Sequence, residues 1–143
     1  MKYLFAFVLV FFCSQNVIAE QYFGDVIVSE VTSVYDGDTF KVNIPEYPDL
    51  IGRQVSIRIN GIDTPEIRGR CPREKALALK AREHTANQLY NGKEILLRNV
   101  QRGKYFRIVA DVYVDGANLG DSLIRHGFAV DYGGGRKDFP WCE

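Results

Sequence analysis

Between residues 26 and 114, apolar side chains recur at every second position in short runs, and Gly, Pro or Asp cuts each run off. The clearest is residues 54–62, where Val55, Ile57 and Ile59 alternate with Gln54, Ser56, Arg58 and Asn60. Such a period of two puts one set of side chains on a core face and the other toward solvent, the pattern of a half-buried strand. Residues 26–34 and 39–44 read as strands on either side of an Asp36-Gly37 turn, and Pro45 with Pro48 ends the second. Gly61 interrupts the third strand near its end and predicts a bulge that re-aims the chain. Two more strands follow at 95–100 and 108–114, with Asp115-Gly116 as a turn.

Only one long interval changes to a helical period. From Arg73 to Tyr90, after Pro72, the residues Leu77, Ala78, Ala81, Thr85 and Leu89 share one helical face, and Asn91-Gly92 supplies a stop. A short helix is expected at 119–126, ending at Gly127. Five strands with a helix between the third and fourth predict an α+β, mainly β domain, a five-stranded OB-fold Greek-key barrel with one long and one or more short helices. There is no repeat, low-complexity tract or Pro/Ser-rich linker, so residues 20–143 are expected to form one domain.

Ahead of it, Lys2 and the ten apolar residues 3–12 read as the n- and h-regions of a signal peptide over residues 1–19. That run is too short to span a bilayer, which argues against a retained anchor. Val17-Ile18-Ala19 sets small residues at the expected cleavage site, and the bulky Phe12 before Cys13 fits lipid anchoring poorly. A secreted or periplasmic chain with no stable membrane association is the expectation, with a monomer as default. The loss of Cys13 leaves Cys71 and Cys142, and an even pair in an exported domain reads as a disulfide. Two cysteines without CxxC spacing and only two histidines do not make a zinc site. In the chain-entropy model a loop of about 70 residues contributes on the order of 4 kcal/mol.

The whole chain is neutral, with 18 basic and 18 acidic residues, but residues 51–110 hold 13 Lys or Arg against 5 Asp or Glu. A basic middle third suits a polyanionic ligand, although a charge run is as often a solvated face. Carboxylates recur where strands give way to turns, in Asp36-Gly37-Asp38-Thr39 and in Arg58-Ile59-Asn60-Gly61-Ile62-Asp63-Thr64-Pro65-Glu66. Hard divalent cations take several oxygen ligands, and two Asp side chains with a backbone carbonyl would leave room for water and a phosphate oxygen. Read alone, Asp36 is a turn residue. An EF-hand is excluded, because Phe40 and Lys41 stand where its glycine belongs. His84 and His126 have no Ser, Cys or ligand partner nearby in sequence and read as structural or surface residues.

Taken in order, Asp-Gly-Asp-Thr, Arg-x-x-x-Ile-Asp-Thr-Pro-Glu, a helix with Glu74 and several alanines, and Lys-Tyr-x-Arg-x-x-Ala-x-x-Tyr resemble the staphylococcal nuclease (thermonuclease) family. Leu123-Ile124-Arg125-His126-Gly127-Phe128-Ala129 extends the resemblance, which covers about residues 31–132. The ending, Gly-Gly-Gly-Arg-Lys and then Trp141-Cys142, is similar to the short exported members, which lack an extra C-terminal helix. The resemblance implies a Ca²⁺-dependent endonuclease or exonuclease acting on DNA, RNA or both. It implies that Asp38 and Asp63 ligate Ca²⁺ through carboxylates and Thr64 through its carbonyl, with Asp36 beside that shell. Glu66 would position the attacking water and take its proton; Arg58 and Arg107 would grip the scissile phosphate. Lys104 and Tyr105 would contact a terminal phosphate, and Tyr132 would face a base. In-line attack with loss of the 5′ oxygen, leaving 3′-phosphate ends, is implied in the same way.

One position departs from the family. Phe106 stands where the third motif usually has Gly, so a turn needing positive φ there would be strained. Its ring is alternatively suited to stacking on a base. The rivals from other classes are a barrel that binds nucleic acid without cutting it and an oligosaccharide-binding barrel. Neither needs Asp38, Arg58, Asp63, Glu66 and Arg107 together.

Overall fold

The computed structural model describes residues 23–143, and the leader expected at 1–19 lies outside them. Nine strands and three helices succeed one another there: β1 (Val26–Ile27), β2 (Glu30–Val34), β3 (Thr39–Asn43), α1 (Asp49–Gly52), β4 (Val55–Ile59), β5 (Ile62–Asp63), α2 (Pro72–Asn91), β6 (Ile95–Arg102), β7 (Ile108–Val114), β8 (Ala117–Asn118), α3 (Leu119–Arg125) and β9 (Val130–Asp131). The main sheet runs β1-β6-β7-β4-β3-β2 with β8 on β7, and β5 pairs β9 separately. The β4–β7 pairing is parallel and the others are antiparallel.

The expected first strand is in fact two, and the break explains the barrel. Val28 N donates to Ile95 O on one edge of the sheet, and the next residue, Ser29, donates its N–H to Asn43 O on the other. A single chain segment therefore ties β6 to β3 and curls the sheet on itself, which removes most of its open edge. The domain is mainly β, with an OB-type barrel, as the strand pattern predicts.

Alternation does the packing. Phe40 and Val42 on β3, Ile57 and Ile59 on β4, Leu97 on β6 and Ala110 and Val112 on β7 all point inward and are buried. A fully buried side chain of the larger kind contributes roughly 1.5–3 kcal/mol relative to exposure. Their neighbours Thr39, Lys41, Ser56, Arg58 and Val109 occupy the outer face, and register aligns Thr39 with Arg58, Lys41 with Ser56, and Arg58 with Val109.

Helix α2 covers one end of the barrel through Ala78, Ala81, Thr85 and Leu89. Glu74, not Leu77, takes the first buried position of that face; Leu77 is half-buried. Small residues allow a close approach: a Cβ on Gly37 would lie 2.8 Å from Ala81 Cβ and 2.9 Å from Thr64 Cγ2. The helix is pinned there because Thr85 Oγ1 donates to Gly37 O at 2.6 Å and Arg82 Nε to Val34 O at 3.1 Å. Gly92 ends α2 with extended backbone rather than the left-handed turn its type suggests. Its lack of a Cβ makes room for Val114. The short elements α1, β8 and β9 have no sequence period to announce them; the strand predicted at 95–100 extends as β6 to Arg102 across an irregularity between Arg98 and Gln101.

Candidate active site

The β2–β3 turn is closed by Tyr35 N and Asp36 N donating to Thr39 O. Within it Asp38 N donates to Asp36 Oδ1 at 3.2 Å, and Asp38 O accepts from Ile59 N at 2.8 Å, which locks the turn onto β4. Asp38 is 3% exposed; its Oδ1 accepts from Thr39 Oγ1 at 2.8 Å. Its Oδ2 is buried and accepts no hydrogen bond among the described residues, the adjacent cation being Arg58 Nη1 at 3.3 Å.

Asn60 and Gly61 then turn the chain, with Gly61 at φ +73°, so that Ile62 and Asp63 leave the main sheet and pair with β9. Asp63 is 4% exposed, and Arg58 Nη2 stands 3.9 Å from its Oδ1. The Arg58 guanidinium thus lies between the two aspartates. It donates to Ile59 O at 3.1 Å and from both Nη atoms to Ile62 O, and it stacks 5.6 Å from the Tyr132 ring centroid. Tyr132 is held by its N–H to Gly61 O and its hydroxyl to Gly135 O. Burial, and after it the neighbouring Asp38 carboxylate, push the Asp36 carboxyl up to about 7. Carboxylates packed this closely repel one another and call for a cation.

Glu66 is exposed on the loop after Asp63-Thr64-Pro65, and Thr64 is buried. That loop hangs on Glu74, whose buried carboxylate accepts Glu66 N at 3.3 Å and Arg70 N at 2.7 Å. Gly69 leaves room for that carboxylate, since a Cβ there would stand 2.6 Å from Glu74 Oε2 and displace it. Beside it the Cys71–Cys142 disulfide, with Cα atoms 6.0 Å apart, returns the C-terminal segment to the start of α2. The segment frames a cavity of about 460 Å³ lined by Asp63, Glu66, Arg70, Lys137, Phe139 and Trp141 among others. Lys137 Nζ lies 2.6 Å from Asp63 Oδ1 and 2.8 Å from Glu66 Oε1. Burial alone would lower the pKa of that ammonium, but its bonds to Asp63 and Glu66 and the charges of Asp38 and Asp63 outweigh it and raise the pKa.

Of the residues singled out from sequence, Asp36, Asp38, Arg58, Asp63, Thr64, Glu66 and Tyr132 converge here. Lys104, Tyr105 and Arg107 do not touch them: among the described residues no hydrogen bond or ion pair joins these three side chains to the acidic cluster. They form the β6–β7 hairpin, where Arg107 lines a second groove. Arg107 precedes β7 by one residue and stands two residues before Val109, the register partner of Arg58. The part that three residues play in the site was not evident from sequence. Glu74 looks like an ordinary first-turn acid, and Thr85 like a core-face residue. Lys137 was findable in principle: a Cys71–Cys142 bridge requires that residues just before Cys142 lie close to the Glu66 loop.

A barrel of this topology carrying buried aspartates around an arginine defines a class that comparison with known proteins makes specific. The family model described as staphylococcal nuclease homologue matches residues 56–138, and the chain belongs to that family. The matched stretch contains Arg58, Asp63, Thr64, Glu66, Arg107, Tyr132 and Lys137. A relative named as a probable endonuclease, from Schizosaccharomyces pombe, is 31% identical over 135 residues, covering 78% of this chain. The chain spans 57% of that relative's length.

Proposed function

We propose that the protein is a Ca²⁺-dependent phosphodiester hydrolase, an endonuclease or exonuclease of DNA, RNA or both, working outside the cytoplasm as a monomer. The observation that carries this reading is the pair of buried carboxylates, Asp38 and Asp63, set around Arg58 with the exposed carboxylate of Glu66 on the adjoining loop. The donor set fits Ca²⁺: it is all oxygen, it carries negative charge, and Asp38 Oδ2 is buried without a hydrogen bond. Asp38 and Asp63 would hold the ion with the Thr64 carbonyl, while Asp36 keeps the Asp38 amide in place. Bound there, Ca²⁺ would supply positive charge to the non-bridging phosphate oxygens.

The chain's own groups do the remainder. Glu66, exposed and fixed by its loop amide to Glu74, accepts a proton from the attacking water. Arg58 is held by carbonyls before substrate arrives, so its charge faces the phosphate without reorganisation as negative charge grows in the transition state. Arg107 approaches from the hairpin, with Lys104 and Tyr105 beside it for a further phosphate and Tyr132 for a base. Lys137 must leave Asp63 and Glu66 for the cation and water to enter, and its flexible stem allows this. Affinity for the polyanion is expected to be salt-sensitive and largely indifferent to sequence.

The test is digestion of a labelled single-stranded oligonucleotide by the protein with millimolar Ca²⁺, with Mg²⁺, and with chelator. Cleavage restored by Ca²⁺ and abolished by chelator supports the reading. Cleavage indifferent to chelator, or an oligonucleotide bound but left whole in Ca²⁺, overturns it in favour of a different hydrolase or a binding module.

A further inference from the structure

The hairpin that carries Arg107 has a feature the hydrolytic reading does not use. Arg107 N donates to Lys104 O at 3.2 Å, and both central residues are left-handed, Tyr105 at φ +57° and Phe106 at φ +59°. This is the backbone of a type I′ turn, which Asn-Gly occupies without strain and which two aromatic residues occupy at a cost. Neither ring recovers that cost by burial: Tyr105 is 87% exposed and Phe106 81%. Arg102 lies over the Phe106 ring, 5.5 Å from its centroid.

The strained rings border a groove of about 740 Å³ whose other wall is α1 and its flanks, with Leu50 95% exposed at the rim. Its charged lining is one-sided. Lys41, Arg53, Arg102 and Arg107 face it, and among the described residues no carboxylate does. Asp49, just outside, stands 3.7 Å from Arg53. The groove also adjoins the acidic site along the sheet. Lys41 and Ser56 pair across β3 and β4, one outward position from the Thr39–Arg58 pair that borders Asp38.

From strain held at two exposed aromatics, a mainly apolar lining whose charged members are all basic, and this adjacency, we infer that the groove is an extended single-strand nucleic-acid subsite, in which Phe106 stacks on a base outside the cleavage site. The inference rests on the hydrolase reading for its purpose but not for its test. A stretch of single strand is the occupant whose chemistry matches both halves of the groove, since every base offers a face for stacking and every linkage a negative charge. A concave surface of this size fits a strand better than it fits the plane of a membrane. Lys41, Arg53 and Arg102 take backbone phosphates as the strand leaves Arg107.

The experiment is fluorescence anisotropy of a labelled oligothymidylate of about ten nucleotides, long enough to fill such a groove. It is run in chelator so that no cleavage is involved. Phe106→Gly should weaken binding by roughly five- to a hundredfold, the range for loss of one stacked base. The same variant should melt a few degrees higher, because glycine relieves the left-handed strain. Phe106→Trp should keep or tighten binding. Arg53→Ala should flatten the salt dependence of binding by about 0.7 in log–log slope, one single-strand phosphate contact. Unchanged affinity in Phe106→Gly overturns the inference, as does wild-type protein that binds anionic phospholipid vesicles and not the oligonucleotide. Wild type that binds through Phe106 and never cleaves on adding Ca²⁺ keeps the subsite and discards the hydrolase.

Discussion

Lys137 and Thr85 show how much of the site depends on residues that do no chemistry. Lys137 sets its ammonium between the carboxylates of Asp63 and Glu66, so it competes with any cation brought there. Removing it as Lys137→Ala should raise Ca²⁺ affinity by roughly three- to tenfold, a modest factor because the side chain is partly exposed and screened. Calorimetric titration reads this directly, and weaker Ca²⁺ binding would show that Lys137 supports the site instead. Thr85 is wholly buried, and Thr85→Val leaves Gly37 O without its donor while keeping the side chain's shape. An unsatisfied buried carbonyl costs about 1–3 kcal/mol, to be seen as a lower urea midpoint at unchanged m-value. The convergence of the carboxylates with Arg58 was legible because their types and spacing are set by chemistry, whereas Arg107 stands apart on the hairpin. Thr85 and Glu74 were not, because their hydrogen bonds reach backbone atoms 48 and 8 residues away, a relation no local pattern records.

At the scale of elements, the packing of α2 on α3 has a pH dependence of its own. His84 donates to or accepts from Ser122 Oγ at 3.0 Å and packs against His126 and Phe128, with ring centroids 4.6 and 5.5 Å away. Burial, and secondarily the neighbouring His126, lowers the His84 pKa below 6.5. The folded state then binds fewer protons than the unfolded chain just below that value, so stability is fully present above 6.5 and falls as pH drops toward the folded pKa. Asp36, its pKa held up to about 7, acts in the opposite sense and adds stability as pH falls through 7. The His84 part is therefore read as a difference. In urea unfolding between about pH 7.5 and 5.5, His84→Gln should lose less stability, or gain more, than wild type as pH falls; parallel curves would rule this role of His84 out. Among the elements, the long strands and α2 follow from periodicity. The splitting of the first strand does not. Residues 26–34 read as one alternating run, and only the competition of two sheet edges for Val28 and Ser29 divides it. Two- to four-residue pieces such as β9 and α1 have too few residues to show any period.

For the whole molecule, the disulfide matters twice. It closes a separation of 71 residues and keeps the C-terminal segment, with Lys137, over the Glu66 loop. Replacing both cysteines by serine should cost about 2–5 kcal/mol, measured by denaturant unfolding. The same variant should also gain some of the Ca²⁺ affinity of Lys137→Ala, since the segment is freed at its far end. Stability lost without any change in Ca²⁺ affinity would mean that the segment holds its place unaided. The proposed function divides binding and chemistry between Asp38 with Asp63 on one side and Glu66 on the other. Glu66→Gln tests it most directly, with Ca²⁺ affinity, oligonucleotide affinity and single-turnover cleavage measured on the same protein. Both affinities should stay within a few-fold of wild type while cleavage slows by about 10²–10⁴. Cleavage at the wild-type rate, or loss of Ca²⁺ binding in step with activity, would contradict it.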